Sequence, residues 1–206
     1  MNVQSLRSGA GEERLEKLIH QRTLPGADKE KIDKQIWDLF GEEWSVMFTD
    51  LSGFSRNVAK FGIIHFLVTI HEAERLLTPV IEDHGGIILK VEGDSFLIIF
   101  RKSINALECA VNMQRTLVLY NVDKLPEEKV LLGVGLGHGH MLRIGDSDVF
   151  GAEVNAASKL GEDTAKAGEI LATDALREKV IKIYPEGWEK LEEVPSGATG
   201  AWKYIY

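Results

Sequence analysis

Apolar and polar positions alternate between two periods along this chain, and the switches between them predict its elements. Glu12 to Arg22 has helical spacing, with Leu15, Leu18 and Ile19 at i, i+3 and i+4, until Leu24-Pro25-Gly26 breaks it. A second helix is predicted from Asp28 to Phe40, with Ile32, Ile36, Leu39 and Phe40 as its apolar stripe and Lys, Glu and Asp on its other faces. The residues before it, Met1 to about Gly9, are polar and predicted to be disordered. Val46 and Phe48 sit in a buried strand whose last residue is Asp50, before a glycine-containing turn. Ile63 to Asp83 keeps helical spacing up to Gly85-Gly86, with a kink or weak turn expected at Pro79. Two β-rich runs then flank Gly93-Asp94, a tight hairpin whose tip lies at a sheet end. A helix from Ile104 to about Tyr120 follows.

Val130 to His140 reads as a strand interrupted by glycines, and glycine inside a strand marks close approach of another backbone or a ligand. After a short connection, Asp148 to Lys159 places Asn155 and Lys159 four residues apart, on one face of a helix. Gly168 to Ala172 gives a further strand, Asp174 to Val180 a short helix, and the tail ending in Trp202-Lys-Tyr-Ile-Tyr206 an edge strand. The order β-α-β-β-α-β, with a hairpin between its middle strands, predicts an α+β fold of ferredoxin-like type. Its sheet is mainly antiparallel, with N-terminal helices over 1–42 and a small C-terminal α/β extension inside a unit over 43–206.

Composition narrows the function. The 206 residues carry a net charge of −8 with no basic cluster, which disfavours nucleic-acid binding, since phosphate contacts need concentrated Lys and Arg. One cysteine, Cys109, excludes a disulfide framework within the chain and reads as a small buried apolar residue. The longest apolar stretch, Phe61 to Ile70, is too short to span a bilayer, and the first residues lack the apolar segment of a signal peptide, so a cytoplasmic protein is expected. His138 and His140 alternate onto one strand face without a third partner, the pattern of structural or solvated histidines rather than of a metal site.

The candidate chemistry rests on Asp50 and Asp94. An aspartate ending a strand is ordinarily a turn former, because its side chain bonds its own backbone. Two such carboxylates at neighbouring strand ends, beside a loop of small residues, can also hold a hard divalent cation, which keeps one or two carboxylates together with phosphate oxygens in its shell.

Three blocks in order tip the balance. Phe48-Thr-Asp50-Leu-Ser-Gly53-Phe54-Ser55 is similar to the first metal-binding strand and turn of the class III nucleotidyl cyclases. Lys90-Val-Glu-Gly93-Asp94 resembles that family's hairpin, and Asp148-Val-Phe-Gly151-Ala-Glu-Val154-Asn155-Ala-Ala-Ser-Lys159 resembles its third block. The likeness runs from about Trp44 to Glu178. It implies that Asp50 and Asp94 bind two divalent ions (Mg²⁺ or Mn²⁺), with the backbone carbonyl of Leu51 completing one shell. It further implies that Gly53, Phe54 and Ser55 offer backbone N–H groups to a triphosphate, that Lys90 and Asp148 select the base, that Asn155 orients the ribose, and that Lys159 stabilises charge on the α-phosphate.

A lysine donor and an aspartate acceptor fit adenine, so the resemblance implies ATP as the nucleoside triphosphate. Because the family divides these residues between two catalytic domains and this chain carries both sets, it also implies a homodimer with two sites. Two features depart from the family. Lys159 stands where its usual Arg does and lacks the planar fork, and the short segment between His140 and Asp148 predicts a trimmed dimerisation arm. Three readings stay open, in this order: an adenylyl cyclase, a cyclase-fold regulator with little turnover, and a cyclase for GTP or a pyrimidine nucleotide.

Overall fold

In a computed structural model that describes residues 3–52 and 61–206, one eight-stranded sheet carries the chain. Two helices precede it, α1 (Val3–Thr23) and α2 (Lys29–Phe40). The first is longer than its apolar spacing suggested: the polar residues from Val3 onward are helical instead of disordered. Once a helix is nucleated each further residue adds a hydrogen bond, so a helix extends past the turns that its apolar stripe anchors. Asp28 caps α2 by accepting from the Lys31 N–H at 3.1 Å. Both helices pack on the domain itself, with Leu18, Ile36 and Phe40 closing over Ile144.

The core is the ferredoxin-like β-α-β-β-α-β unit: β1 (Gly41–Leu51), α3 (Ile63–Asp83), β2 (Ile87–Glu92), β3 (Ser95–Phe100), α4 (Ser103–Tyr120) and β4 (Leu132–Ile144). Its four strands lie in the order β2-β3-β1-β4, and every neighbouring pair is antiparallel. Helix α3 continues through Pro79 without interruption. Burying Ala73, Leu77 and Ile81 against Phe100, Ala110 and Met113 holds the turn that proline weakens. Cys109 is buried in the same cluster, and burial pushes its thiol up to about 12.

Beyond the core come β5 (Asp148–Phe150), α5 (Ala152–Ser158) with a π-helical turn at Lys159–Thr164, β6 (Ile170–Thr173), α6 (Asp174–Val180), β7 (Trp188–Lys190) and β8 (Ala201–Tyr204). Strand β4 continues four residues past His140 and turns at Gly145 (φ 58°) into β5, which pairs with it from Leu142–Phe150 to Ile144–Asp148. One expectation is corrected here. The tail strand β8 lies between β6 and β7 rather than at the edge, because Trp188–Lys190 pairs along its free side. No helix of the described residues is long and apolar enough to cross a membrane.

The glycines of β4 explain how α5 sits. Gly133, Gly135, Gly137 and Gly139 share one strand face, and α5 with its π turn lies directly on that bare backbone. A Cβ at Gly135 would stand 2.2 Å from the Ala157 carbonyl oxygen and 2.3 Å from the Gly161 nitrogen, both main-chain atoms. We therefore expect Gly135→Ala to destabilise the fold by about 1–3 kcal/mol, towards the upper end because backbone cannot step aside cheaply. Urea unfolding of the variant beside the wild type measures the difference.

Candidate active site

Two pairs of side chains converge at one end of the sheet. The first is acidic. Asp50 is the penultimate residue of β1, half-buried and opposite Gly133. Asp94 sits in the two-residue turn joining β2 and β3, where Glu92 pairs with Ser95 and Gly93 takes φ 61°. Positive φ at the first turn position alone is the type II′ geometry, which only glycine adopts freely. The two carboxyl groups are within hydrogen-bonding reach of each other. Burial, then the charges of Asp94 and Glu162, the hydrogen bond to Asp94 and the charge of Asp163 raise the Asp50 carboxyl to about 7.

Among the described residues, the charges bearing most on Asp50 are thus all negative. Such a pair needs either a shared proton or a cation. Among the described residues no three acidic, histidine or cysteine side chains converge closely enough to hold a metal ion by themselves. A cation between Asp50 and Asp94 would therefore keep room for a backbone oxygen and phosphate oxygens, which is how magnesium is usually held. The donor set fits a divalent ion. Leu51, buried as the last residue of β1 opposite Leu132, follows Asp50 directly.

The second pair is Lys90 and Asp148, joined at 2.5 Å across 58 residues of sequence. Its geometry depends on a bulge. Ile88 pairs with Ile98 and Lys90 with Leu97, leaving Leu89 unpaired. Strict alternation would send Lys90 to the face of Ile88, under α3. The extra residue instead turns Leu89 and Lys90 both towards the α5 face, where Leu97 and Val149 are buried. The Asp148 carboxylate holds the Lys90 ammonium above its ordinary value against some opposing burial, and Glu92 lies 3.7 Å from the same nitrogen. The other Asp148 oxygen accepts from the Val149 N–H at 2.9 Å, which fixes the carboxylate at the start of β5. Lys90 and Asp148 line a pocket of about 130 Å³ with Phe48, Phe96, Leu97 and Glu162.

Helix α5 brings the remaining residues. Val154 and Ala157 pack under it, and Glu153 ties it down by accepting from the His138 N–H at 3.2 Å and the Thr173 hydroxyl at 2.6 Å. Asn155 and Lys159 then both face solvent, one helical turn apart. Lys159 opens the π turn, whose Ala165 N–H donates to the Leu160 carbonyl at 2.8 Å. Gly53, Phe54 and Ser55 lie outside the described residues.

Glu162 was not singled out from the sequence. It lines the pocket and accepts from the Ser158 hydroxyl. Its spacing from Asn155 and Lys159, seven and three residues on, is the signal that points to it. The histidines are structural: His138 is buried between Ser45 (3.0 Å), Ser103 (3.1 Å) and Glu43 (2.8 Å), and His140 stacks on Trp37 with ring centroids 4.8 Å apart.

Fold and site together define an α+β domain of the class III nucleotidyl cyclase type. The family described as "Adenylate and Guanylate cyclase catalytic domain" matches residues 41–188, and the chain belongs to that family. A protein named "Putative adenylate cyclase 3" from Rhizobium meliloti (strain 1021) is 30% identical over 154 residues, covering 74% of this chain and 25% of that protein. The chain thus spans about a quarter of that relative's length. An adenylate/guanylate cyclase/hydrolase from Silicibacter pomeroyi superposes with a TM-score of 0.69 at 22% identity, over 81% of this chain and 98% of that one. The adenylyl cyclase CyaB from P. aeruginosa gives 0.64 at 16%, over 81% and 95%. At these identities the likeness to the solved structures is one of fold.

Proposed function

We propose that this chain is a nucleotidyl cyclase unit that converts ATP into 3′,5′-cyclic AMP and pyrophosphate, at sites shared between two copies of the chain. The observation that carries the base preference is the Lys90–Asp148 contact at the mouth of an aromatic-walled pocket. A donor beside an acceptor matches the adenine edge, which presents an acceptor ring nitrogen beside an amino donor. Guanine presents the opposite order and leaves both groups unpaired, a strong ground for rejection. Base entry exchanges the Lys90–Asp148 bond for two bonds to the base, while Phe48, Phe96 and Leu97 supply apolar walls.

Asp50, Asp94 and the Leu51 carbonyl are the groups that hold divalent ions, and Gly53, Phe54 and Ser55 supply N–H groups to the triphosphate. When bound, the ions acidify the ribose 3′-hydroxyl and neutralise the β- and γ-phosphates. The 3′-oxygen forms its bond to the α-phosphorus as the bond to the bridging oxygen breaks; pyrophosphate leaves and the hydroxyl proton passes to solvent. Asn155 holds the ribose in line for this displacement, and Lys159 offsets the charge gathering on the α-phosphate oxygens. We take 43–206 as the catalytic unit and 1–42 as a helical extension, in a cytoplasmic protein.

The test is incubation of the purified protein with ATP, GTP, CTP and UTP, each with Mg²⁺ and with Mn²⁺, and identification of cyclic products by mass. Cyclic AMP supports the reading. Another cyclic nucleotide overturns the roles of Lys90 and Asp148, and no product from a folded dimer leaves a nucleotide-binding regulator. Lys159→Arg is expected to raise kcat by roughly tenfold, because the guanidinium fork grips two phosphate oxygens where an ammonium is a point charge. An unchanged or lower kcat would mean the site is built around the ammonium.

A further inference from the structure

A larger cavity, about 590 Å³, opens on the α4 face of the sheet, away from the pocket under α5. Helix α4 forms one wall with Glu108, Asn112 and Arg115, and the opposite wall runs from Tyr184 to Gly187 and on to Tyr204 and Tyr206. The far wall is aromatic and fixed. Tyr184 and Tyr204 meet edge to face at 6.2 Å, with Trp188 against Tyr204 at 4.7 Å. The Trp188 indole N–H donates to the Tyr184 carbonyl at 2.9 Å, and the Tyr206 hydroxyl donates to the Gly168 carbonyl at 2.8 Å. Gly187, at φ 84°, lets the chain pass so close that a Cβ there would stand 2.5 Å from the Ile205 carbonyl oxygen.

Most polar groups of the cavity are committed. Glu108 accepts from the Tyr184 hydroxyl at 2.8 Å, and Asn112 is bonded to His84 at 2.9 Å. Three are not: Arg115 and Glu186, both solvent-exposed, and the Tyr204 hydroxyl make no ion pair or side-chain hydrogen bond among the described residues. The Arg115 charge reaches all three phenols. Burial raises Tyr204 and Tyr206, and the bond to Glu108 raises Tyr184, each opposed by that guanidinium. An uncommitted guanidinium facing an aromatic wall, in a cavity of the size that holds small ligands, has the chemistry of a binding site.

We propose that this cavity binds a small planar aromatic monoanion, with its ring against the tyrosines, its acidic group on Arg115 and a ring amino group on Glu186. The guanidinium fork suits a carboxylate or a phosphodiester equally. Glu108 and Glu186 on the rim oppose any polyanion, so a nucleoside triphosphate is a poor occupant. Cyclic mononucleotides and amino-substituted aromatic acids share the required chemistry.

The two sources separate in one experiment on the ¹⁵N-labelled full chain, in which backbone amide shifts are followed during titration with cyclic AMP, 4-aminobenzoate, ATP or inorganic phosphate. One or both of the first two should shift the Gly187 and Tyr206 amides saturably, and the tighter binder names the source. Arg115→Gln should weaken that binding by at least about tenfold, the scale of a lost charge-assisted pair, with the rest of the spectrum unchanged. ATP and phosphate should leave those amides in place. The site is overturned if neither aromatic anion moves them, if ATP moves them as strongly, or if Arg115→Gln binds equally well. Cyclase turnover enters none of these readouts, so this site and the proposed reaction fail independently.

Discussion

Asp50→Asn is expected to lower kcat for cyclic nucleotide formation by about 10³-fold or more, a loss of roughly 4 kcal/mol of transition-state stabilisation. The metal-free variant is nevertheless expected to unfold at a higher temperature than the metal-free wild type. Both effects follow from one feature. Asp50 is half-buried beside Asp94, with Glu162 and Asp163 adding negative charge, and burial and these neighbours hold its carboxyl at about 7. A carboxylate in that setting is a liability to the empty fold and an asset to a bound cation. Asparagine keeps the shape and removes the charge, relieving the repulsion together with the ligand. Thermal unfolding with and without Mn²⁺ separates the terms: Mn²⁺ should raise the midpoint of the wild type and leave that of Asp50→Asn nearly unchanged, since a ligand stabilises only a state that binds it. A variant that kept more than about a tenth of wild-type kcat and still gained stability from Mn²⁺ would remove Asp50 from the metal site.

The elements proposed to carry this chemistry were legible for local reasons. The β1 run, the Gly93-Asp94 turn and the Asn155/Lys159 spacing depend on neighbours a few residues apart; the turn and the spacing appear where their patterns put them, and β1 runs one residue past Asp50, to Leu51. The alternate glycines of β4 were also informative: a strand face without side chains implies backbone lying on it, and α5 with its π turn does so.

What was not legible is long-range. Ile87-Ile88-Leu89 is equally apolar in either register, so nothing local marks Leu89 as the bulge. That bulge is set by Leu89 packing with Leu97 and Val149 while Lys90 meets Asp148. The interior place of β8 is equally invisible, since Ala-Trp-Lys-Tyr reads the same with one neighbour or two, and only β7 decides it. Glu162 escaped because it lies in the π turn, beyond the last residue of the motif. Its place in the pocket lining becomes visible only when β2, β5 and that turn come together.

The shared-site proposal predicts that two inactive variants restore each other. Asp50→Asn removes a metal carboxylate and Lys159→Ala a phosphate cation, and each alone is expected to leave about 1% of wild-type activity or less. If every site takes Asp50 and Asp94 from one copy and Asn155 and Lys159 from the other, a mixed dimer places both lesions in one site and leaves its second site intact. Random pairing makes half of all dimers mixed, so equal co-expression should recover about a quarter of wild-type activity in a symmetric dimer with two sites.

The chain's own charges favour this arrangement. The groups bearing most on Asp50 within one copy are carboxylates, whereas Asn155 and Lys159 face outward from α5 into solvent. The outward pair thus serves a partner's phosphates more naturally than its own acidic end. Activity of the co-expressed mixture is compared with that of each variant and of the wild type at equal protein concentration, with dimer content fixed by sedimentation. Recovery near a quarter supports sites built across two copies. Activity no higher than the mean of the two parents, in a sample shown to contain mixed dimers, would mean that each copy completes its own site, and the division of Asp50 from Lys159 would be abandoned.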